Sequence, residues 1–562
     1  MNEDQPILDL KAGVLWRLVK AAVCFLGLGG SLSAPGQTVS LTFDLASPGK
    51  VITNKFSDIN QWAVDETWTN RAASWPKDYF HANFPFVQRV QLMAATGGNK
   101  QRDLFLNPED RSTLDDYKFA PLLAACQNIV ARGLKPMVKT GWVPLKFSAH
   151  PHLGVFGTNV RPPSDYQNYY CYIQALATAL KDRFGTQEMR TWSWGVGVEY
   201  ENRDWFEAED GKPETTKLAY FHLYDCTVAA LEDALGKENV TVGAHGMTVS
   251  PGLWNSLDFI EHCAHGPNLY RGGIGTRLNF LAISYYTPVP GFDPATFTAA
   301  INRVQVRASQ LGLRNLKFGI DEGRVLEGWD KKVLYPREVE HPLQAAGDAR
   351  LFQLMVEQNV DYFSMWDLTT EGLFPGIPLA SSNLRNLAFR LSGSALLAAR
   401  RTGASTNASD EVNGLAAYDA TARIVRVLLY NFSSERDAKD TEEVRLTLAH
   451  PKHAFAGSLL MRTWALDEDN GNWWKAWQAD VAARKMGPSS FRETVWTPAL
   501  PAELADPADV QFWKARQADY EKLGRLKCVE QRITAEPNGA LVWSARLKPH
   551  AVILYEIPLA EP

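Results

Sequence analysis

Several things are scarce in this chain of 562 residues. Its six cysteines, at 24, 126, 171, 226, 263 and 528, are widely spaced, with no CxxC pair and no Cys/His cluster. That spacing excludes a structural zinc site of the usual kind and leaves room for one or two disulfides among mostly buried thiols. Positive charge is not in excess: the formal net charge is −5, which gives no basic field for nucleic acid. Beyond the N-terminus no apolar run approaches membrane-spanning length. No GxGxxG follows an early strand, which argues against a doubly wound dinucleotide fold, and no internal repeat or low-complexity tract occurs. "HPH" at 150–152 reads as surface, and "DEDNGN" at 467–472 lacks the twelve-residue EF-hand pattern. No metal or organic cofactor is expected.

Aromatic residues are abundant instead, with 18 Trp and 18 Tyr. Such rings serve cores, and they also line sites that stack on flat apolar ligand faces, sugars among them. Near the N-terminus Lys11, Arg17 and Lys20 precede "AAVCFLGLGGSLSA", a secretory signal pattern with a cut near Ser33 or Ala34. Residues 1–34 are therefore expected to be a signal peptide, and the mature protein to be secreted or periplasmic.

From about residue 56, short β-branched runs alternate with helical patterns. The strand candidates are 56–64, 86–95, 135–143, 191–199, 240–247, 280–287, 316–323 and 360–368. Between the third and fourth, Ser164 is placed to cap a helix with Tyr169, Ile173, Leu176 and Leu180 on one face, ended by Gly185. Eight strands separated by helices predict a (β/α)8 barrel over residues 35–395, with 35–55 open to adding a strand to a second domain. From 396 to 562 the apolar period falls to two, as in "GLAAYDATARIVRVLLYNFS" and "GALVWSARLKPHAVILYEI", which predicts a β-sandwich. "SERDAKDTEE" at 434–443 reads as an exposed hairpin loop.

Active groups of such a barrel stand at the C-terminal strand ends. Glu199, Glu322 and Asp367 close the fourth, seventh and eighth candidates. Alternation puts Ser193, Gly195, Gly197 and Glu199 on the interior face, opposite Trp192, Trp194, Val196 and Val198. Glu199 then points into the mouth, while Glu201 lies beyond the strand, to bind substrate at the rim or pair with Arg203. Two acids across a mouth are the equipment of glycoside hydrolysis, one protonating the leaving oxygen and the other attacking the anomeric carbon or activating water. The competing reading is a buried acid paired for structure, with Arg324 and Lys139 available. Trp142, Tyr286 and Trp366 are candidate sugar platforms. His245 is divided between substrate contact and the core, and Arg89 between substrate, neutralising Glu322 and structural pairing.

Several segments resemble glycoside hydrolase family 39, the β-xylosidase and α-L-iduronidase family. Trp192 with Glu199 seven residues on is similar to its W-x-F-E-V-W-N-E-P motif, "FLAISYYTP" to its sixth strand, "FGIDEGR" to its seventh and "VDYFSMWDLT" to its eighth. In the second domain "RTWALDEDNGNWWKAW" at 462–477 resembles Y-R-I-D-x-x-H-S-N-x-Y-x-x-W. The resemblance implies a retaining hydrolase acting on a carbohydrate, with Glu199 as acid/base and Glu322 as nucleophile. The family's asparagine before the acid/base, which holds the sugar 2-hydroxyl, is Val198 here; its proline is Tyr200, and its sixth-strand histidine is Tyr285. Asn60, His245 and Tyr285 are the candidates to replace that contact. The alternatives are another barrel activity, such as an α-L-arabinofuranosidase or endo-glycanase, and an inactive carbohydrate-binding barrel.

Overall fold

The computed structural model describes residues 38–64, 66–247, 252–289, 294–327, 341–366, 377–405, 411–450, 455–491, 501 and 504–559. The expected signal segment and Asp367 lie outside these residues. The first strand, β1 (Val39–Val51), belongs to the second domain. The chain then runs through β2 (Asp58–Ala63), β3 (Arg89–Ala94), β4 (Lys135–Thr140), β5 (Ser193–Val196), β6 (Val242–Gly246), β7 (Phe280–Val289), β8 (Lys317–Glu327) and β9 (Tyr362–Met365). All eight pair in parallel, and β9 returns to β2, so the sheet closes into a (β/α)8 barrel. Each apolar outer face packs on helices; Trp192, Trp194 and Val196 lie buried there with Tyr169, Ile173, Leu176 and Leu180 of the helix Tyr166–Phe184. That helix is capped by Asp165, whose side chain accepts from the Gln167 amide, and not by Ser164, whose hydroxyl donates to the Phe147 carbonyl instead.

The barrel interior departs from the usual layers of Val, Ile and Leu. A small apolar plug of Met137, Phe280, Ala282 and Tyr362 fills part of it. Above and beside the plug stands a polar network. Arg89 holds Asp58 through two hydrogen bonds of 2.7 and 3.1 Å and donates to Ser193 Oγ. Gln91 Nε2 donates to both Asp58 and Asp321, and Lys139 Nζ lies 2.8 Å from Asp321 Oδ2. Space for the lysine is made by Gly195, where a Cβ would stand 2.8 Å from Lys139 Cγ.

The second domain is a β-sandwich of β1 with β10 (Ala395–Thr402), β11 (Glu411–Asp419), β12 (Ile424–Phe432), β13 (Glu442–Ala449), β14 (Ser458–Leu466), β15 (Cys528–Thr534), β16 (Leu541–Leu547) and β17 (Val552–Pro558). All nine strands contribute to one apolar core, among them Leu41, Leu397, Val427, Leu446, Met461, Ile533, Trp543 and Ile557. The strand β1 lies between β10, antiparallel, and β13, parallel, so the chain is anchored in the sandwich before it enters the barrel.

Two expectations for this domain are corrected. Segment 434–443 is no hairpin loop: β12 pairs with β11 and β17, and β13 with β1 and β16. It crosses from one half of the sandwich to the other. Period two identifies strands but does not choose their partners. Between β14 and β15 the chain forms two helices, Trp474–Ala483 and Pro507–Gly524, which the strand reading did not foresee. Trp473, Trp474, Trp477 and Tyr520 join the barrel's core, and Asn383 of the barrel donates to the carbonyls of Gly471 and Gly524. The "DEDNGN" loop thus abuts the barrel. Five cysteines are free thiols, Cys126, Cys226 and Cys263 buried and Cys171 and Cys528 exposed.

Candidate active site

Glu322 is not at the end of its strand, because β8 runs on to Glu327. What aims it is a break in register. Ile283 pairs with Ile320 and Ser284 with Glu322, so Asp321 is an extra residue, a β-bulge. Strict alternation sends consecutive side chains to opposite faces, and a bulge re-aims them. Here Asp321 reaches Lys139, Gln91 and Tyr362, whose hydroxyl donates at 2.8 Å, while Glu322 accepts from the Tyr286 hydroxyl. Two adjacent acids therefore face the same interior.

Glu199 is reached differently from the expectation. The strand β5 stops at Val196, and Glu199 stands three residues on, in a turn where Gly197 has φ 74° and Glu199 itself φ 42°. A non-glycine residue in the left-handed region is uncommon and costs on the order of 1 kcal/mol, and such outliers gather at functional sites. The turn is held: Tyr200 N donates to the His245 carbonyl, and Asn202 N to the Glu199 carbonyl. One carboxyl oxygen, Oε2, accepts from Asn202 Nδ2 at 2.8 Å and from the Trp205 indole at 3.1 Å. Its partner oxygen is left for other work.

Glu201 does not stand at the rim. It is 1% exposed; its carboxylate accepts from Met247 N at 2.9 Å and its carbonyl from Leu253 N at 2.6 Å. Arg203 pairs with Glu207 instead. Glu201 braces the chain after β6, where a Cβ at Gly252 would stand 2.0 Å from its Cγ. Glu201→Gln is therefore expected to lower the thermal midpoint by several degrees while KM on any ligand of the mouth stays within about twofold. A KM change with unaltered melting would return Glu201 to the rim.

The remaining candidates sort by face. Tyr286 and Trp366 stand together at the mouth, rings 6.4 Å apart and near perpendicular, with the Arg324 guanidinium 4.9 Å from the Trp366 ring. Tyr285 points the other way and packs edge-on against Phe297, so it is withdrawn as a ligand. Trp142 is buried among Met93, Ala94, Val198 and Trp205, its indole donating to the Met93 carbonyl; it supports a wall and offers no platform face. His245 has both ring nitrogens engaged, with Lys139 Nζ at 3.2 Å from Nδ1 and Ser284 Oγ at 2.8 Å from Nε2. Because an ammonium only donates, Nδ1 accepts and Nε2–H donates to the serine. Arg89 serves Asp58 and does not touch Glu322. Asn60 has the parity of Asp58, is 3% exposed, and its Nδ2 is buried with no hydrogen-bond partner among the described residues. A buried amide donor left unmet costs about 1–3 kcal/mol.

Electrostatically the two glutamates act as a unit. Burial first, and then the negative charge of Glu199, push the Glu322 carboxyl up to about 8, against the pull of the Tyr286 hydrogen bond and Lys139. That direction favours the protonated form of the Glu322 carboxyl. Burial and Lys139 hold His245 down to about 3, which keeps the imidazole neutral, while Lys139 keeps Asp321 below the usual carboxylate range in spite of its burial. The sequence reading missed Asp321, Asn202 and Trp205. Asp321 adjoins Glu322, but strict alternation hides it on the outer face. Asn202 and Trp205 follow Glu199 closely, yet only the turn brings them back onto it.

A match to Glycosyl hydrolases family 39 runs over residues 105–310, from the loop after β3 to the helix after β7, and includes Glu199 but not Glu322. Over that stretch the chain is similar to glycoside hydrolase family 39. A β-xylosidase of Geobacillus stearothermophilus is 24% identical over 149 residues, 26% of this chain and 28% of that one. The match thus spans little more than a quarter of that curated relative. Among solved structures, the family 39 enzyme of Xanthomonas axonopodis pv. citri superposes with a TM-score of 0.63 at 14% identity, covering 93% of this chain and 97% of that one. A monomeric β-xylosidase of Caulobacter crescentus gives the same TM-score and identity over 93% and 100%. At these identities the agreement is one of fold, and it extends over both domains.

Proposed function

We propose that the protein is a retaining glycoside hydrolase in which Glu199 is the acid/base and Glu322 the nucleophile. The observation that carries the reading is the coupled pair: two acids, one in the turn after β5 and one on β8, mutually repelling in one buried mouth, each with one oxygen held by donors. In the first step a protonated Glu199 gives its proton to the glycosidic oxygen as the C–O bond breaks. The leaving alcohol keeps the bonding pair, and the Glu322 carboxylate forms an ester to the anomeric carbon. In the second step water gives a proton to Glu199 while its oxygen attacks the same carbon, and the ester bond breaks to return the carboxylate. The Tyr286 hydroxyl on Glu322 and the donors on Glu199 Oε2 orient the two groups. Asn60 supplies an unmet polar contact for a sugar hydroxyl, and Tyr286 with Trp366 supplies a wall. β-Xylosidase is the named activity of relatives, and a β-D-xyloside is the first substrate to try.

A reversed assignment has one observation in its favour. The charged form of Glu322 is the one that burial disfavours, and a carboxyl held protonated is the natural acid. Glu199 would then be the nucleophile.

The test is hydrolysis of a panel of nitrophenyl pentosides and hexosides, followed by proton NMR of the first-formed sugar. Retention of configuration is expected on at least one member. Release of the inverted anomer would replace the double displacement with a single one. Sugar binding without turnover across the panel would make the protein a carbohydrate-binding barrel.

A further inference from the structure

The loop after β4 ends in a tight hairpin whose tip is apolar. Leu153 and Asn159 bridge, Gly154 N donates to the Thr158 carbonyl, and Gly157 turns with φ 67°. Residues 153–157 read L-G-V-F-G, with no polar side chain. Leu153 is 51% exposed, Val155 59% and Phe156 37%, three exposed large apolar side chains gathered within four residues. The hairpin is firmly mounted: Asn99 Nδ2 donates to the Gly157 carbonyl, and Asn159 N to the Gly98 carbonyl. Apolar side chains fixed on a rigid, exposed tip signal a contact surface.

The tip is joined to the candidate acid. Phe156 stacks on Trp205 with centroids 3.9 Å apart and planes 10° from parallel. The indole N–H of the same Trp205 donates to Glu199 Oε2. Trp62, half-buried at the end of β2, closes the group at 5.5 Å from Trp205 and 6.4 Å from Phe156, with Arg102 over its ring. An aromatic shelf thus begins at the carboxyl of Glu199 and ends on the solvent-facing hairpin.

We propose that this shelf, formed by Phe156 and Trp62 on Trp205 with Val155 at its edge, is the subsite for the leaving group and selects leaving groups with a flat apolar face. The inference rests on the glycosidase reading with Glu199 as acid. The atom that Glu199 protonates is the one the leaving group carries away, so whatever follows that oxygen must lie on Glu199's side of the mouth. An aromatic ring and the C–H face of a second sugar share the required chemistry. The shelf acts by positioning the departing group and takes no part in proton transfer.

The experiment uses the whole protein and three substrates sharing the sugar that the wild type hydrolyses best: an aryl glycoside, a disaccharide and the glycosyl fluoride. Fluoride is too small to reach the shelf. In Phe156→Ser, and in Val155→Ser/Phe156→Ser, kcat/KM for the aryl glycoside or the disaccharide, divided by that for the fluoride, is expected to fall about tenfold. A fall confined to the aryl substrate names an aryl leaving group, and one confined to the disaccharide names a second sugar. Melting should hold, since the tip is exposed. Equal losses on all three substrates, or no loss on any, would overturn the shelf while leaving the glycosidase reading intact. A wild type inert toward every glycoside of the nitrophenyl panel would remove the glycosidase reading, and the shelf with it.

Discussion

Glu322→Ala is expected to lower kcat on an aryl glycoside by on the order of 10⁵-fold, about 7 kcal/mol of barrier at 1.36 kcal/mol per decade. Azide should restore turnover. With the carboxylate gone, azide attacks from the vacated side and the product is a glycosyl azide of inverted configuration. The companion variant Glu199→Ala should lose most on substrates with poor leaving groups and keep more on nitrophenyl glycosides, which need little protonation. There azide captures the glycosyl-enzyme from the opposite side, and the product is a glycosyl azide of retained configuration. The two stereochemical outcomes assign the roles independently of pH. If Glu322→Ala yields the retained azide and Glu199→Ala the inverted one, the acid and the nucleophile are exchanged.

Unfolding is not the expected cause of that loss. The folded Glu322 carboxyl titrates near 8, above its ordinary value of 4.5. Its contribution to stability is therefore fully present below about pH 4.5 and is lost as pH rises through about 8. Above that range the wild type carries a buried charge that the alanine variant lacks. At pH 8–9 Glu322→Ala should melt no lower than wild type, and a lower midpoint there would mean the packing of the site had failed instead.

The second large effect is on stability. Lys139→Met should cost about 3–5 kcal/mol, followed by denaturant unfolding at the barrel's tryptophans, because it strands a buried carboxylate. Lys139 and Asp321 are both 0% exposed, with Nζ 2.8 Å from Oδ2. Asp321 also receives Gln91 Nε2 and the Tyr362 hydroxyl, and His245 loses the donor that fixes its tautomer. Lys139→Met/Asp321→Asn removes the charge with its partner and should recover most of the loss. A single variant within about 0.5 kcal/mol of wild type would show that Asp321 is satisfied without the lysine.

All eight barrel strands were legible in the sequence, because β-branched runs separated by helical patterns leave few other architectures. The outward tryptophans 192 and 194 also followed from alternation, which holds wherever a strand is regular. Glu199 and Glu322 were named by motif and by place in the order of strands. Tertiary structure decided how each is presented. Glu199 lies past the end of β5 in a left-handed turn that Asn202, Trp205 and the His245 carbonyl hold, and period two says nothing about such a turn. Glu322 shares its face with Asp321 only because β8 carries one more residue than β7 at that point. A bulge depends on the neighbouring strand, which the sequence of β8 does not contain. The same reason separates Glu201 from Glu199: two residues apart with equal parity on paper, they are turned apart by the fold, one to the mouth and one beneath Gly252. Periodicity specifies which side of an ideal strand a residue occupies. Turns, bulges and strand partners are set by groups far away in the chain, and those place the carboxylates.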